Sequence, residues 1–258
     1  TSVVEDILDK DAGGAIAAFR ALLENESTDR LNPVLMTGST VLVDDDIIKH
    51  ILPRFEEWIK LRKLDIDLEI VDNFGFKEIK GKGGHWKPRY YTEMITHMFQ
   101  QGITKCLVGT RGLLGEGWDA SKINVLIDLT TVTTSMSINQ LRGRSFRLDK
   151  DNPNKVANNW DIVCLAEEFI KGFDDYDRFK RKHSQLYGVC DDSAIEKGVG
   201  HVHAAFTDAR PEGISETMDI FNEEMICRAK NRERTIELWK IGESFDEVPS
   251  EAIELKMN

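Results

Sequence analysis

The sequence predicts an α/β fold of three layers, in which a parallel β-sheet lies between helices, followed by a mainly helical C-terminal extension. Short apolar runs of the length of buried strands alternate with amphipathic, helix-like segments through residue 165. Beyond that residue, charged helical patterns replace the strands. We therefore divide the chain into a helical lead-in at 1–30, an α/β domain at 31–165 and a helical extension at 166–258.

The α/β segment holds both kinds of pattern in alternation. One helix-like run carries Ile47, Ile51, Phe55 and Ile59 at the spacing of a single helix face. The predicted strands are 33–37, 66–71, 103–108, 123–129 and 160–165. The predicted helices are 13–25, 46–60, 90–101 and a short one that holds residues 140–147. Functional loops are then expected at the carboxyl ends of strands, where open parallel sheets bind ligands.

The extension has a less regular pattern. Residues 167–186 predict one or two charged helices, and 215–243 predict a long helix with Ser215 as its N-cap. The run 252–257 is strand-like without a closing element, so we expect the protein to continue past it. His201 and His203 alternate as on a strand, but no cysteine or acidic partner stands at ligand spacing, so we expect no metal site.

Composition excludes several classes of protein. No apolar run approaches the roughly 18–20 residues of a membrane span, so we expect no membrane partner. The four cysteines lack the close paired spacing of a zinc site or a disulfide framework, which favours a reducing cytoplasm. The net charge of −11 argues against a generic polybasic nucleic-acid binder, although phosphate contacts need only a local patch.

The most informative pattern is Gln140-x-x-Gly143-Arg144-x-x-Arg147. Arginine forks match phosphate oxygens and stay charged at any working pH. On a helix, Arg144 and Arg147 would lie on one face and reach the same phosphoryl group. Gly143 just before them permits close approach of a backbone or a ligand. The pattern therefore predicts a pair of arginine fingers.

A glycine-rich loop at 109–117 follows the strand-like run 103–108. Such a loop, with Asp128 after the next strand, suggests dinucleotide binding. Only residues 118–122 separate it from the next strand, whereas a parallel crossover needs about a dozen residues. We therefore reject the dinucleotide interpretation on spacing.

Together these segments resemble conserved motifs of superfamily-two helicases. Residues 140–147 match motif VI in full, and Thr110 with 117–119 matches motif V. Residues 33–39 resemble motif IV, and 99–108 are similar to the helix-and-strand lead-in to motif V. The Gly-Glu-Gly-Trp-Asp form is closer to restriction- and repair-type DEAD/DEAH helicases than to DEAD-box RNA helicases.

The resemblance covers 33–165 and implies a second RecA-like domain of the P-loop NTPase fold. It implies that ATP binds between this domain and a first RecA-like domain, with Arg144 and Arg147 on the γ-phosphate. Gln140 would position the nucleotide or the attacking water. The expected nucleotide contacts on the ribose side and beside the fingers are Gly117, Asp119 and Gly143.

The same resemblance implies contacts with a nucleic-acid strand, through Thr110, Thr37 and Ser39. DNA is favoured over RNA, in single- or double-stranded form. A basic segment at 77–89 adds candidates for phosphate contact and base stacking, namely Lys82, Trp86, Lys87 and Arg89. The alternative is a solvated basic loop with Trp86 packed on the domain.

The magnesium-and-triphosphate half of an ATPase site is missing from the sequence. No stretch supplies G-x-x-x-x-G-K-[ST], and residues 44–46 have the character of acidic helix-capping residues rather than a magnesium-binding motif. We expect the magnesium ligands on the first RecA-like domain and no ATP turnover by residues 1–258 alone.

Two other functions stay open. One is a restriction-type motor that translocates on duplex without unwinding it. The other is a non-enzymatic module that binds nucleic acid or a protein partner, in which Arg144 and Arg147 are structural salt-bridge partners. If the protein is such a binding module, loss of the positive charge at Arg144 would leave its function intact.

Overall fold

The computed structural model describes residues 14–73, 75–114 and 118–239. It is a mixed α/β structure that divides into two compact units. The first consists of residues 1–126 and 139–155, and the second of residues 127–138 and 156–258. This division differs from the sequence-based boundary at 165.

The first unit is built on a five-stranded sheet. Its strands are β1 (Val34–Met36), β2 (Val41–Val43), β3 (Asp67–Asn73), β4 (Phe76–Lys82) and β5 (Leu107–Gly109). The strand order is β3-β4-β2-β1-β5. β1 and β5 are parallel, and the other three pairs are antiparallel.

The sheet is therefore mixed, and the expectation of an all-parallel sheet is wrong. The reason is two tight turns that the sequence analysis missed. The N–H of Thr37 donates to the carbonyl of Thr40 at 2.8 Å, which closes a hairpin between β1 and β2. Asn73 lies opposite Phe76 across the second hairpin, where Gly75 has a positive φ of 82°. Connections this short permit only antiparallel pairing.

Helices cover both faces of this sheet. They are α1 (Ala15–Glu24), α2 (Glu26–Asp29), α3 (Ile48–Leu61), α4 (Pro88–Gln100) and α5 (Arg111–Leu114). Val34 and Met36 pack in one buried cluster with side chains of α3 and α4. Leu35, between them, packs on Phe19 of α1 at the opposite face. This alternation is the two-residue period of a strand buried on both sides.

The second unit has smaller sheets, and it includes the longest of the described helices, with 20 residues. Its elements include β7 (Asn158–Asp161), α7 (Asp174–His183), β8 (Tyr187–Val189), β9 (Ile195–Lys197), α8 (Pro211–Lys230) and α9 (Arg232–Leu238). β7 pairs with β6 (Val125–Asp128), and β8 with β9. α6 (Ser135–Arg142) spans a boundary between the units. The core of the second unit is an aromatic-rich cluster of Tyr176, Phe179, Val199, Phe206 and Ile214.

Three expectations for the extension are wrong. The long helix begins at Pro211, which occupies the first turn with Arg210 as N-cap, so Ser215 lies inside it. It ends at Lys230, and the side chain of Asn231 caps a separate helix by accepting from the N–H of Arg234. Residues 198–201 form a 3-10 helix, so His201 and His203 do not alternate along a strand. Among the described helices, none has the length and apolar character needed to cross a membrane.

Candidate functional site

The first unit brings the two glycine- and arginine-containing segments into contact. Trp118 and Asp119, from the first segment, touch Arg144 and Arg147, from the second. Gly117 lies outside the described residues. The structure places the described residues of the two segments together, and their role as a nucleotide site stays a prediction.

Arg147 forms an ion pair with Asp119. The Asp119 side chain is 72% exposed and that of Arg147 is 35% exposed, so the pair lies at the surface. A third residue ties the two segments together. The Lys155 ammonium donates to the carbonyls of Ser121 and Arg147 at 2.5 and 2.6 Å, and burial lowers its pKa below the ordinary lysine value. The backbone that carries Arg147 is therefore held while its guanidinium stays accessible.

Arg144 points the other way, into the protein. Its side chain is buried and donates to the carbonyl of Trp118, while its Nε has no hydrogen-bond partner in the part of the chain that the structure describes. The Trp118 indole N–H donates to the Thr96 hydroxyl at 2.8 Å, and that hydroxyl donates to the carbonyl of Thr92 at 2.6 Å. A continuous chain of hydrogen bonds thus runs from α4 through Trp118 to Arg144.

The expected helical pair of arginines is wrong in its geometry. α6 ends at Arg142, and Arg144 and Arg147 lie in the turns that follow. The N–H of Gly143 still donates to the carbonyl of Asn139 at 2.9 Å, and a Cβ at Gly143 would lie only 2.8 Å from that oxygen. Glycine is needed here for close backbone packing. The turn then sends the two arginines in different directions.

Gln140 lies exposed on α6, three residues before Gly143. The structure therefore places it in the same segment as the arginines. Its side chain is accessible to a ligand.

The predicted hydroxyl contacts lie at the carboxyl ends of two neighbouring parallel strands. Met36 of β1 is opposite Gly109 of β5, so Thr37 and Thr110 are the residues that follow at the same edge of the sheet. The Thr37 hydroxyl accepts from the N–H groups of Ser39 and Thr40 at 3.4 and 3.2 Å, and Ser39 is exposed. This is the edge at which ligand contacts are expected.

Tyr91 connects α4 to this edge. Its hydroxyl donates to the carbonyl of Thr37 at 2.7 Å, and burial raises its pKa to about 12. The hydroxyl is therefore protonated at any physiological pH. It holds the β1–β2 turn against the helix.

The basic segment was predicted to be a loop, but its first half forms a strand. Residues 76–82 form β4, and its lysines pair with acidic residues. Lys82 lies 2.8 Å from Glu69 on β3, and this hydrogen bond raises the Lys82 pKa. Lys77 lies 2.6 Å from Asp72. These positive charges are compensated within the hairpin, which weakens Lys82 as a phosphate contact.

Trp86 packs on the domain, which is the alternative that the sequence left open. Its ring lies over Gly81, where an added Cβ would come within 2.3 Å, and 5.2 Å from the ring of Tyr91. The side chain is partly buried against the core. Lys87 and Arg89 are exposed, and neither makes an ion pair with a described residue. They remain the accessible cations of this segment.

A second charged cluster, in the second unit, was not predicted. The buried Lys182 ammonium lies 2.8 Å from Asp128 and 3.1 Å from Asp161. His183 Nε2 lies 3.0 Å from the other oxygen of Asp161. Asp128 and Asp161 each end a strand, which is the available sequence signal. No short motif joins them to α7, because the partners are 21 to 54 residues apart.

Comparison of the chain with family models, with curated proteins and with solved structures finds no match. Within the described residues, no group of three or more histidines, cysteines or carboxylates has an arrangement that could hold a metal ion.

Proposed function

We propose that this chain is the second RecA-like domain of an ATP-dependent superfamily-two helicase or translocase. The observation that carries the proposal is the surface ion pair of Arg147 with Asp119, which joins the motif VI-like and motif V-like segments. The resemblance to the family rests on the residues and the order of these motifs in the sequence, and in the structure their described residues are in contact. A sequence pattern that arose by chance would not require the two segments to lie in contact.

Arg147 fits the role of the phosphate-contacting arginine. Its guanidinium is accessible, permanently charged and opposed by one mostly exposed carboxylate. Exposed ion pairs are worth roughly 0–1 kcal/mol, so a phosphate group competes easily with Asp119 for this guanidinium. Asp119, released from the pair, then accepts hydrogen bonds from hydroxyl groups of the nucleotide sugar.

Arg144 serves as a positioning residue in this proposal. Its buried guanidinium holds the Trp118 carbonyl, and the same peptide segment carries Asp119. The hydrogen bonds from α4 through Trp118 keep this segment in place. Gln140, exposed on α6, is available to orient the nucleotide or the attacking water.

ATP, when bound, supplies a γ-phosphate whose negative charge grows in the transition state. The described residues fit that end of the nucleotide, because Arg147 offers an accessible guanidinium and Gln140 an accessible amide. The sequence supplies no Walker loop, so the magnesium ligands belong to a first RecA-like domain. Opening and closing of two such domains would move a strand across Thr37, Ser39 and Thr110.

Nucleic-acid binding by the chain itself tests this function. We expect a fluorescein-labelled single-stranded oligonucleotide to bind, with affinity that falls as salt rises. Thr110→Val should weaken binding about three- to tenfold, because it removes a hydroxyl hydrogen bond worth about 1 kcal/mol. Thr131→Val, an exposed threonine of the second unit, is the matched control and should bind like the wild type.

Fluorescence anisotropy measures oligonucleotide binding by the wild type and by each variant. Lys87→Ala with Arg89→Ala should lower the salt dependence as well as the affinity, since both side chains are exposed cations without an ion pair to a described residue. Binding that is absent in the wild type, or equal in the threonine variants, would contradict the assignment of this edge to a nucleic-acid strand.

A further inference from the structure

The buried charged cluster of the second unit lines a cavity of about 150 Å³. One wall of the cavity is a face of α7, where Asp175, Arg178 and Lys182 follow one another at helical spacing. Another wall is formed where β6 and β7 end, at Asp128 and Asp161. The volume equals that of about five water molecules in the liquid. A ligand with five or six non-hydrogen atoms fits it.

The lining of this cavity carries an excess of negative charge. Lys182 lies between Asp128 and Asp161, and all three side chains are at most 7% exposed. Nearer the surface, Arg178 pairs with Asp175. Among the described lining residues, three carboxylates thus face two cations. His183, which contacts Asp161 but does not belong to the lining, is positively charged only when it is protonated. A site whose lining has one surplus negative charge attracts cations and repels anions.

Two uncharged groups of the lining suit an organic cation. The Thr130 hydroxyl oxygen is buried and has no hydrogen-bond partner among the described residues, although the N–H of Thr130 donates to Asp128 at 2.8 Å. A buried hydroxyl without a partner is costly, and an N–H group in the cavity would supply the partner. The Phe179 ring belongs to the same lining, and aromatic rings attract ammonium and guanidinium groups.

We propose that this cavity binds a small organic monocation, such as a primary ammonium group on a short carbon chain. The cation donates N–H hydrogen bonds to the Asp161 and Asp128 carboxylates and to the Thr130 hydroxyl. Its carbon chain lies against Phe179. A metal ion fits less well, because no group of three or more histidines, cysteines or carboxylates among the described residues has an arrangement that could hold one.

The first test compares three probes of one shape and different charge: n-butylammonium, butyrate and 1-butanol. Each is titrated into the 258-residue chain, labelled with ¹⁵N, and followed by amide chemical shifts. We expect saturable shifts at residues 128–130, 161–163 and 175–182 with butylammonium, and at least about tenfold weaker binding of the other two probes. Equal or tighter binding of butyrate, or no saturable shift with any probe, would overturn the proposal.

Variants then test the location. Thr130→Val should weaken butylammonium binding about three- to tenfold without loss of folding, because the hydroxyl makes no hydrogen bond to any described residue. Thr131→Val, its exposed neighbour, should bind like the wild type. Asp161→Asn removes the surplus charge and should abolish the preference for butylammonium over butanol. If Asp161→Asn does not fold, the threonine pair decides, and equal affinity in both threonine variants would refute the site.

Discussion

Arg144 and Arg147 differ in what surrounds their guanidinium groups. We expect Arg144→Ala to lower the free energy of unfolding by about 1–3 kcal/mol, because a buried hydrogen bond to the Trp118 carbonyl is lost. Arg147→Ala should cost only about 0–1 kcal/mol, since it breaks an exposed ion pair. Urea unfolding followed by circular dichroism measures both. Equal losses would show that the two side chains are not divided between a structural and a functional role.

Lys182 offers a second test at the scale of single residues. Lys182→Met should lower the free energy of unfolding by about 3–5 kcal/mol, because the buried Asp128 and Asp161 carboxylates lose the ammonium group that lies between them. Adding Asp128→Asn to Lys182→Met should recover part of that loss, as calorimetry of the double variant would show. The control is Lys180→Met on the same helix, where the lysine lies over the Tyr176 ring and its loss should cost less than about 1 kcal/mol. A small loss at Lys182 would mean that the buried network is not formed.

At the scale of elements, Tyr91 links α4 to the β1–β2 turn. Tyr91→Phe should cost about 0.5–1.5 kcal/mol at neutral pH, since it removes the hydrogen bond to the Thr37 carbonyl. The Tyr91 pKa is about 12 in the folded protein and about 10 when unfolded, so its contribution is complete below pH 10 and declines between pH 10 and 12.

Between pH 10 and pH 12, the free energy of unfolding of the wild type should therefore fall faster than that of Tyr91→Phe. Denaturant unfolding at pH 9 and pH 11 measures the difference, with Tyr187→Phe, an exposed tyrosine, as the control. A pH-independent difference between wild type and Tyr91→Phe would contradict the burial of this hydroxyl.

The elements also show how far sequence reasoning reaches. The apolar stripe of Ile51, Phe55 and Ile59 predicts α3 because one helix face must be buried. β2 and β4 escaped prediction for opposite reasons. Val41–Val43 is only three residues long, and β4 is rich in lysines whose charges are neutralised by acids on the neighbouring strand or on β4 itself. A single segment does not reveal such pairing, so the antiparallel hairpins were missed.

Sequence spacing could select candidate site residues, but it could not give their geometry. Spacing selected Asp119, Arg144 and Arg147, and the structure brings the three into one cluster. Spacing could not show that the helix ends at Arg142, because the close contact of Gly143 with the Asn139 carbonyl is a property of the folded turn. The Lys182 network depends on three separate elements, so no local pattern marks it.

At the scale of the whole molecule, the proposed function makes the chain one half of an ATPase. The chain has an accessible Arg147 and no Walker loop, so on the proposed function hydrolysis would depend on a first RecA-like domain. Loss of the arginine finger should then impair turnover far more than it impairs folding or nucleotide binding. A protein that only binds nucleic acid or another protein needs no arginine finger.

The most direct measurement is nucleic-acid-stimulated ATP hydrolysis by the native full-length protein, wild type against Arg147→Ala. Lys150→Ala, an exposed cation three residues later, is the matched control. We predict a fall of at least about 10²-fold in turnover for Arg147→Ala, with nucleotide binding largely kept and with Lys150→Ala unchanged. Unchanged turnover in Arg147→Ala would contradict the helicase account and leave Arg147 as a structural partner of Asp119.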